Sequence, residues 1–272
     1  MTADAPGRLP ILPILRILDA QRRGSSRPLL VETSAGPQMV KLRGAAQGNG
    51  PLVAEIVVAE LAAALDLAVP ARTLLTLAAD TPTNDREDEL ADLLVASVGT
   101  NLGFAWMDGA REATADELGR MPDEAKAAIL WLDRFTHNPD RTARNPNLLW
   151  WNERAWLIDH GAAMRFQYDW SRVTEDTPRE AGTVFEAHLF EAMASAPEWT
   201  AHEKACAARI TREVLAAAVA RVPDEFLRLE RERYVAYLWK RVSAPRAFAH
   251  AGPSPIAPPG ARGVPPAWLA RR

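Results

Sequence analysis

The chain has one cysteine in 272 residues, Cys206, so no internal disulfide can form. That usage fits a reducing compartment, and the sequence reads as cytoplasmic. Cys206 stands in an Ala-rich helical run, where a thiol is core filler rather than a nucleophile. The five histidines are scattered and form no cluster with the cysteine, which argues against a structural zinc. No apolar run approaches the roughly 20 residues of a spanning helix. The stretch 9–18 is interrupted by Pro10, Pro13 and Arg16 and preceded by Asp4, so it is read as neither a span nor a targeting segment. It is expected to pack as an N-terminal strand or cap, or to serve as an exposed docking strip. A strong charge of one sign is also missing. The net charge is -3, which gives no overall pull toward nucleic acid or an anionic membrane. With 48% hydrophobic and 25% charged residues, the chain has enough apolar surface for one bilobal unit or two small domains.

What is present is concentrated between Asp140 and Gly161. Residues 148–151 and 155–158 are apolar and partly aromatic, of strand type, with Asn152, Glu153 and Arg154 as a polar turn between them. Paired as a hairpin, they bring Asn145, just before the first strand, and Asp159, at the end of the second, to one end. Two oxygen ligands beside an acid, Asp140, are the layout of an ATP-dependent phosphotransferase site. Phosphoryl transfer asks for a carboxylate to orient the acceptor hydroxyl and for ligands to Mg²⁺. Mg²⁺ takes hard oxygen ligands and needs only one or two protein carboxylates beside the phosphates. Gly161 is expected to let the backbone turn closely past the ligand.

A second hairpin is expected upstream, from 29–33 and 38–43, with Ala35, Gly36 and Pro37 as the reversal. Val40 and Leu42 share one face, so Lys41 points away from them, toward phosphate. A glycine-rich connector with Gly44 and Gly48 leads into an Ala/Leu-rich helix started by Pro51. Glu55, read near its first turn, is placed to pair with Lys41 as kinases pair their phosphate-binding lysine. The connector is not a Walker loop, because no Gly-Lys-Ser/Thr ends it.

The strings Val40 to Gly44, Ala54-Glu55 running to Pro70, Asp140 to Asn147 and Ile158 to Gly161 resemble the HipA-like kinase family. This family is a bacterial branch of the protein-kinase-like fold, distantly related to phosphatidylinositol kinases. The resemblance spans roughly residues 28–242. It implies Lys41 on the nucleotide phosphates, Asp140 as catalytic base, and Asn145 with Asp159 on Mg²⁺. His137, Asn138 and Pro139 precede the acid where eukaryotic protein kinases have His-Arg, and His160 follows the metal-binding acid in place of Phe. Both departures fit the HipA-like and lipid-kinase side of the superfamily.

The expected fold is therefore α+β and bilobal, with a small β-rich N-lobe over 1–110, a larger helical C-lobe over 111–242, and a disordered Pro/Ala-rich tail over 243–272. Residues 72–77 and 102–107 read as strands, the latter entering the interlobe hinge with Trp106 or Met107 near adenine. Residues 81–89 read as an acidic surface loop, and 182–193, 203–222 and 224–242 as helical. Pro122 opens the helix that leads to Asp140. The leading function is a HipA-like Ser/Thr protein kinase using ATP and Mg²⁺, with a protein as the hydroxyl-bearing acceptor. A small-molecule or lipid kinase on the same scaffold is the alternative, and a kinase-derived binding module the third. Nucleic-acid binding is not expected.

Overall fold

Pro13 and Arg16 cut the N-terminal apolar run into two short strands, β1 (Ile11–Pro13) and β2 (Arg16–Ala20). The computed structural model describes residues 7–20, 28–45, 48–83, 88–181 and 187–250. Next come the hairpin β3 (Leu29–Thr33) and β4 (Gly36–Lys41), helix α1 (Gly50–Ala64), β5 (Arg72–Leu77), helix α2 (Asp88–Ala96) and β6 (Gly99–Ala105). The sheet order is β1-β5-β6-β4-β3-β2. Only Ile14 and Leu15 separate β1 from β2, yet these strands pair with opposite ends of the sheet. The sheet therefore curls, and one bent segment bridges its two ends. The N-terminal run thus supplies two strands of the sheet where one strand or cap was expected, with Ile11, Leu15 and Leu18 exposed.

Period-two alternation assigns the two faces. Val40 and Leu42 are buried with Ile17, Val31, Leu75 and Leu90 of α2. Met39 and Lys41 face the other way, toward α1. The expected reversal of this hairpin is shifted: Thr33 pairs with Gly36, so Ser34 and Ala35 make the turn, while Gly36, at φ 98°, and Pro37 start β4. The loop expected over 81–89 is also corrected, because Asp88 and Glu89 form the first turn of α2. Acidic residues there favour a helix start by meeting the positive end of its dipole.

Helix α1 carries Pro in its first turn and is buried almost all round, between the sheet and the helical region. It ends where Asp66 turns left-handed, at φ 61°. Leu67 N–H then bonds to the Ala62 carbonyl and Asp66 N–H to that of Ala63, a Schellman closure. Glu55 lies in the second turn rather than the first.

The helical region begins with β7 (Arg111–Glu112), α3 (Ala115–Arg120) on a Thr114/Glu117 capping box, and α4 (Asp123–Thr136), which follows Pro122 as expected. Strands β8 (Leu148–Trp151) and β9 (Arg154–Leu157) form the expected hairpin with β7 alongside. Its turn holds only Asn152 and Glu153, both left-handed at φ 48° and 57°; Arg154 already belongs to β9. After it come α5 (Trp199–Arg209), α6 (Arg212–Ala220), α7 (Arg231–Val242) and α8 (Ala247–His250). The helices expected over 203–222 and 224–242 differ in detail. The first is broken at Ile210, and Thr211 caps α6 by accepting from Val214 N–H at 3.3 Å. The second starts only at Arg231, after a 3-10 turn at Asp224–Phe226. Of the helix expected over 182–193, residues 182–186 lie outside the described residues; beyond them a bridge at His188 and a 3-10 turn, Glu191–Ser195, replace it.

The tail expected from Ser243 does not begin there. Phe248 of α8 is buried against Trp131 and Phe135, with ring centroids 5.7 Å from each, and Arg241 lies over its ring. Arg246 pairs with Glu203, and the Ala249 carbonyl accepts from Trp199 Nε1 and Arg134 Nη1 at 2.9 Å each. The remainder of the expected tail, 251–272, lies outside the described residues. Cys206 is buried on α5, and burial pushes its thiol up to about 11, so it stays protonated, as core filler should.

Candidate active site

Lys41 leaves β4 on the face turned toward α1 and lies between two carboxylates. Its Nζ donates to Glu55 Oε1 at 2.5 Å and to Asp159 Oδ1 at 2.7 Å. Burial alone would lower the lysine's pKa, but Glu55 and Asp159 outweigh it, and the ammonium is held above its ordinary range. For Glu55, fully buried, desolvation pushes the carboxyl up against the opposing pull of Lys41. Asp159 is also raised by desolvation, yet Lys41 wins and keeps it below the usual carboxylate range. Gly161 closes the cluster: its N–H donates to Glu55 Oε1 at 3.0 Å. A Cβ on Gly161 would lie 3.1 Å from Pro51 Cβ, so the glycine is there for close approach to α1.

Helix α1 is fixed to the helical region along its length. Asn49 Nδ2 donates to the Glu225 carbonyl at 2.8 Å and Gln167 Nε2 to the Gly50 carbonyl at 3.1 Å. Glu60 meets Arg221 at 3.2 Å. At the far end Leu157 N–H bonds to the Ala68 carbonyl at 2.8 Å, and Arg209 pairs with Asp66 at 2.6 Å. The Lys41–Glu55 pair is therefore set on a helix held at both ends.

The hairpin β8–β9 brings the end of the loop that carries Asp140 and Asn145 alongside the start of the segment that carries Asp159. Leu148 pairs with Leu157, and Ile158 N–H bonds to the Asn147 carbonyl at 3.1 Å, so the 140–147 loop enters where Asp159 leaves. Asp159 stands at φ 57°, a conformation Asp tolerates better than most residues. Within the loop, Asn145 Nδ2 donates to the Asp140 carbonyl at 3.1 Å. Asn147 Nδ2 donates to Asp140 Oδ2 at 3.3 Å. Asn145 is exposed and Asp140 half-buried.

The other expected site residues lie on the segments that follow β6 and β4. Trp106 and Met107 follow β6 on the short linker to β7, Trp106 being 42% exposed. The linker is held by Trp106 N–H on the Pro37 carbonyl at 3.3 Å and by Trp151 Nε1 on the Asp108 carbonyl at 2.9 Å. Gly44 packs against the end of α2: its N–H donates to Ser97 Oγ at 3.1 Å, and a Cβ there would lie 2.8 Å from the Ala96 carbonyl carbon. Gly48, at φ 64°, lies at the start of α1 beside Arg228. Kinase glycine loops precede the lysine strand; here the connector before β3, residues 21–27, lies outside the described residues.

Several residues of this site were not singled out from sequence: Asp133, Asn138, Arg141, Asn147 and His188, which bond to one another or to the Asp140 loop. A signal existed for Asp133, an acid in register with the apolar face of α4. His137 is also part of the surroundings. It ends α4 at φ 57°, and its Nε2 lies 3.0 Å from the Tyr237 hydroxyl. Burial first, then the charges of Arg241 and Arg165, press its pKa well below 6.5. Below pH ~6.5 the unfolded chain takes up a proton that folded His137 refuses, so stability falls with pH, by up to about 1.4 kcal/mol per pH unit. His137→Asn, which keeps the left-handed conformation and cannot titrate, should flatten the decline in melting temperature between pH 6.5 and 5. An unchanged slope would place the titration elsewhere.

Residues 14–243 match the family model described as HipA-like kinase. Among solved structures, that of a Helicobacter pylori proinflammatory kinase, CtkA, aligns with a TM-score of 0.59 over 89% of this chain and 96% of that one, at 13% identity. At that identity the likeness is one of fold. No curated protein matches the chain. A match covering most of the sequence, on a mixed α+β fold with an N-terminal sheet and a larger helical region, decides the assignment: the chain belongs to the HipA-like kinase family.

Proposed function

We propose that this protein is an ATP-dependent phosphotransferase of the Ser/Thr protein kinase type, moving the γ-phosphoryl group of ATP to an acceptor hydroxyl on a protein. The observation that carries this reading is the single ammonium of Lys41 bonded to Glu55 and Asp159 at the hairpin end where the Asp140 loop ends. Lysine has three N–H donors. Two are used by the carboxylates, and with the side chain 14% exposed the third is left for a nucleotide phosphate. Trp106 and Met107, on the linker, are the candidates for the adenine contact.

Mg²⁺ fits the donor set. Among the described residues no three His, Cys, Asp or Glu side chains converge on one point. Mg²⁺ does not need three, since phosphates and water complete its shell. Asn145 and Asp159 are the residues that would hold it, and when bound it would neutralise charge on the phosphates. In this reading Asp140, its carboxylate held by Asn147, accepts the proton of the acceptor hydroxyl. Lys41 steadies the phosphates and Glu55 steadies Lys41.

The acceptor class is tested by incubating the purified protein with γ-labelled ATP, Mg²⁺ and cell extract, then separating protein from small molecules. Label in Ser or Thr of the protein fraction is expected. Label confined to small molecules or lipids would keep the phosphotransferase and overturn the protein acceptor.

A further inference from the structure

Beneath the loop that carries Asp140 lies a carboxylate with almost no exposure and a full set of partners. Asp133, 1% exposed, projects from the end of α4. Its Oδ1 accepts from Asn138 Nδ2 at 2.8 Å; its Oδ2 accepts from Arg141 Nε at 2.6 Å and from His188 Nε2 at 2.9 Å. His188 Nδ1 accepts the Phe190 N–H at 3.0 Å, so the ring proton sits on Nε2, toward Asp133. Burial works against the Asp133 charge, but Arg141 and His188 outweigh it and hold the carboxyl well below the usual range.

Each partner passes the constraint onward. Asn138 Oδ1 accepts the backbone N–H of Asp140 at 3.2 Å. Arg141 Nη1 donates to the carbonyls of Pro146 at 3.1 Å and Asn147 at 2.5 Å. The Asn147 amide in turn reaches the Asp140 carboxylate. Both the backbone and the side chain of Asp140 are thus tied to one buried group. His188 adds the chain that follows the hairpin: it bridges Thr142, and Leu189 N–H bonds to the Arg141 carbonyl at 3.0 Å. Desolvating a carboxylate costs several kcal/mol, and a buried ion pair is weak evidence for stability alone. Branches that converge on one loop acid are better explained by orientation.

We propose that Asp133 is a positioning residue for the transfer reaction, fixing the backbone of Asp140 through Asn138 and its carboxylate through Arg141 and Asn147. The inference rests on the reading of Asp140 as the base. An acid misplaced by about 1 Å can lose about a hundredfold in rate.

The test uses the full chain, with label transfer from MgATP into the protein fraction of a cell extract as the rate and calorimetric MgATP binding as the control. Asn138→Ala should lower kcat by about a hundredfold while leaving the KM and Kd for MgATP within about twofold. Placed on Asp140→Asn, the same substitution should cost less than about twofold more, because its effect passes through Asp140. His188→Leu should also lower kcat, and His188→Gln, which keeps an N–H donor for Asp133, should restore most of the loss. If Asn138→Ala does not fold, the His188 pair decides. Equal losses from Asn138→Ala in both backgrounds, a loss confined to MgATP affinity, or a His188→Gln no better than His188→Leu would each overturn the proposal. Full activity of Asp140→Asn would sink the reading of the base and this inference with it, whereas an inactive Asp140→Asn beside a fully active Asn138→Ala would sink only the inference.

Discussion

Asp159→Asn should cost at least about a hundredfold in Mg²⁺-dependent ATP turnover, by analogy with the losses seen when metal sites are weakened, while the protein stays folded. Asparagine keeps the shape, tolerates the left-handed φ of 57° and still offers Lys41 an oxygen. What it removes is the negative charge that the proposed Mg²⁺ would meet. Because the Asp159 side chain is 43% exposed, its loss leaves no unpaired charge in the core, and Lys41 keeps Glu55. Turnover measured against Mg²⁺ concentration should therefore collapse, with an unchanged circular dichroism spectrum. Wild-type turnover in this variant would remove Asp159 from the site.

Ending the chain after Val242 should destabilise it severely. Phe248, 1% exposed, fills a slot against Trp131 and Phe135. Emptying a site of this kind by Phe→Ala costs about 3–5 kcal/mol, a large share of the roughly 5–15 kcal/mol that holds a domain folded. The truncation also removes Arg246 from Glu203, buried at 4% side-chain exposure, and takes the Ala249 carbonyl from Trp199 and Arg134. Phe248→Ala alone should lower the melting temperature by about 10 °C, and truncation by more. A truncated chain melting within about 2 °C of the full one would show that α8 contributes nothing to the fold.

Why the sequence misled at α8 is physical. The window 243–272 averages to Pro, Ala and Gly, and an average hides an aromatic, Phe248, that fills a slot. The β8–β9 hairpin was legible for the opposite reason: aromatic and aliphatic runs flank Asn152 and Glu153, so local chemistry and tertiary pairing agree. Lys41 and Glu55 were legible as a pair because strand alternation fixes the side on which a lysine leaves the sheet. The start of α2 was lost because acidic residues serve equally in loops and in first helical turns. Asp133 was lost because an acid in an apolar helix register signals burial without naming its partners, two of which stand eight and 55 positions away. Spacing names the residues that can do chemistry; what holds them is decided by contacts distant in sequence.

The measurement that bears most directly on the account separates binding from transfer in Asp140→Asn. Calorimetric affinity for MgATP and the rate of label transfer into the protein fraction would be determined on the same preparation, beside wild type. Asp140 is assigned to the acceptor hydroxyl and not to the nucleotide, so MgATP should bind within about twofold of wild type while transfer falls by about two to four orders of magnitude. Lost MgATP binding, or transfer at the wild-type rate, would contradict that assignment.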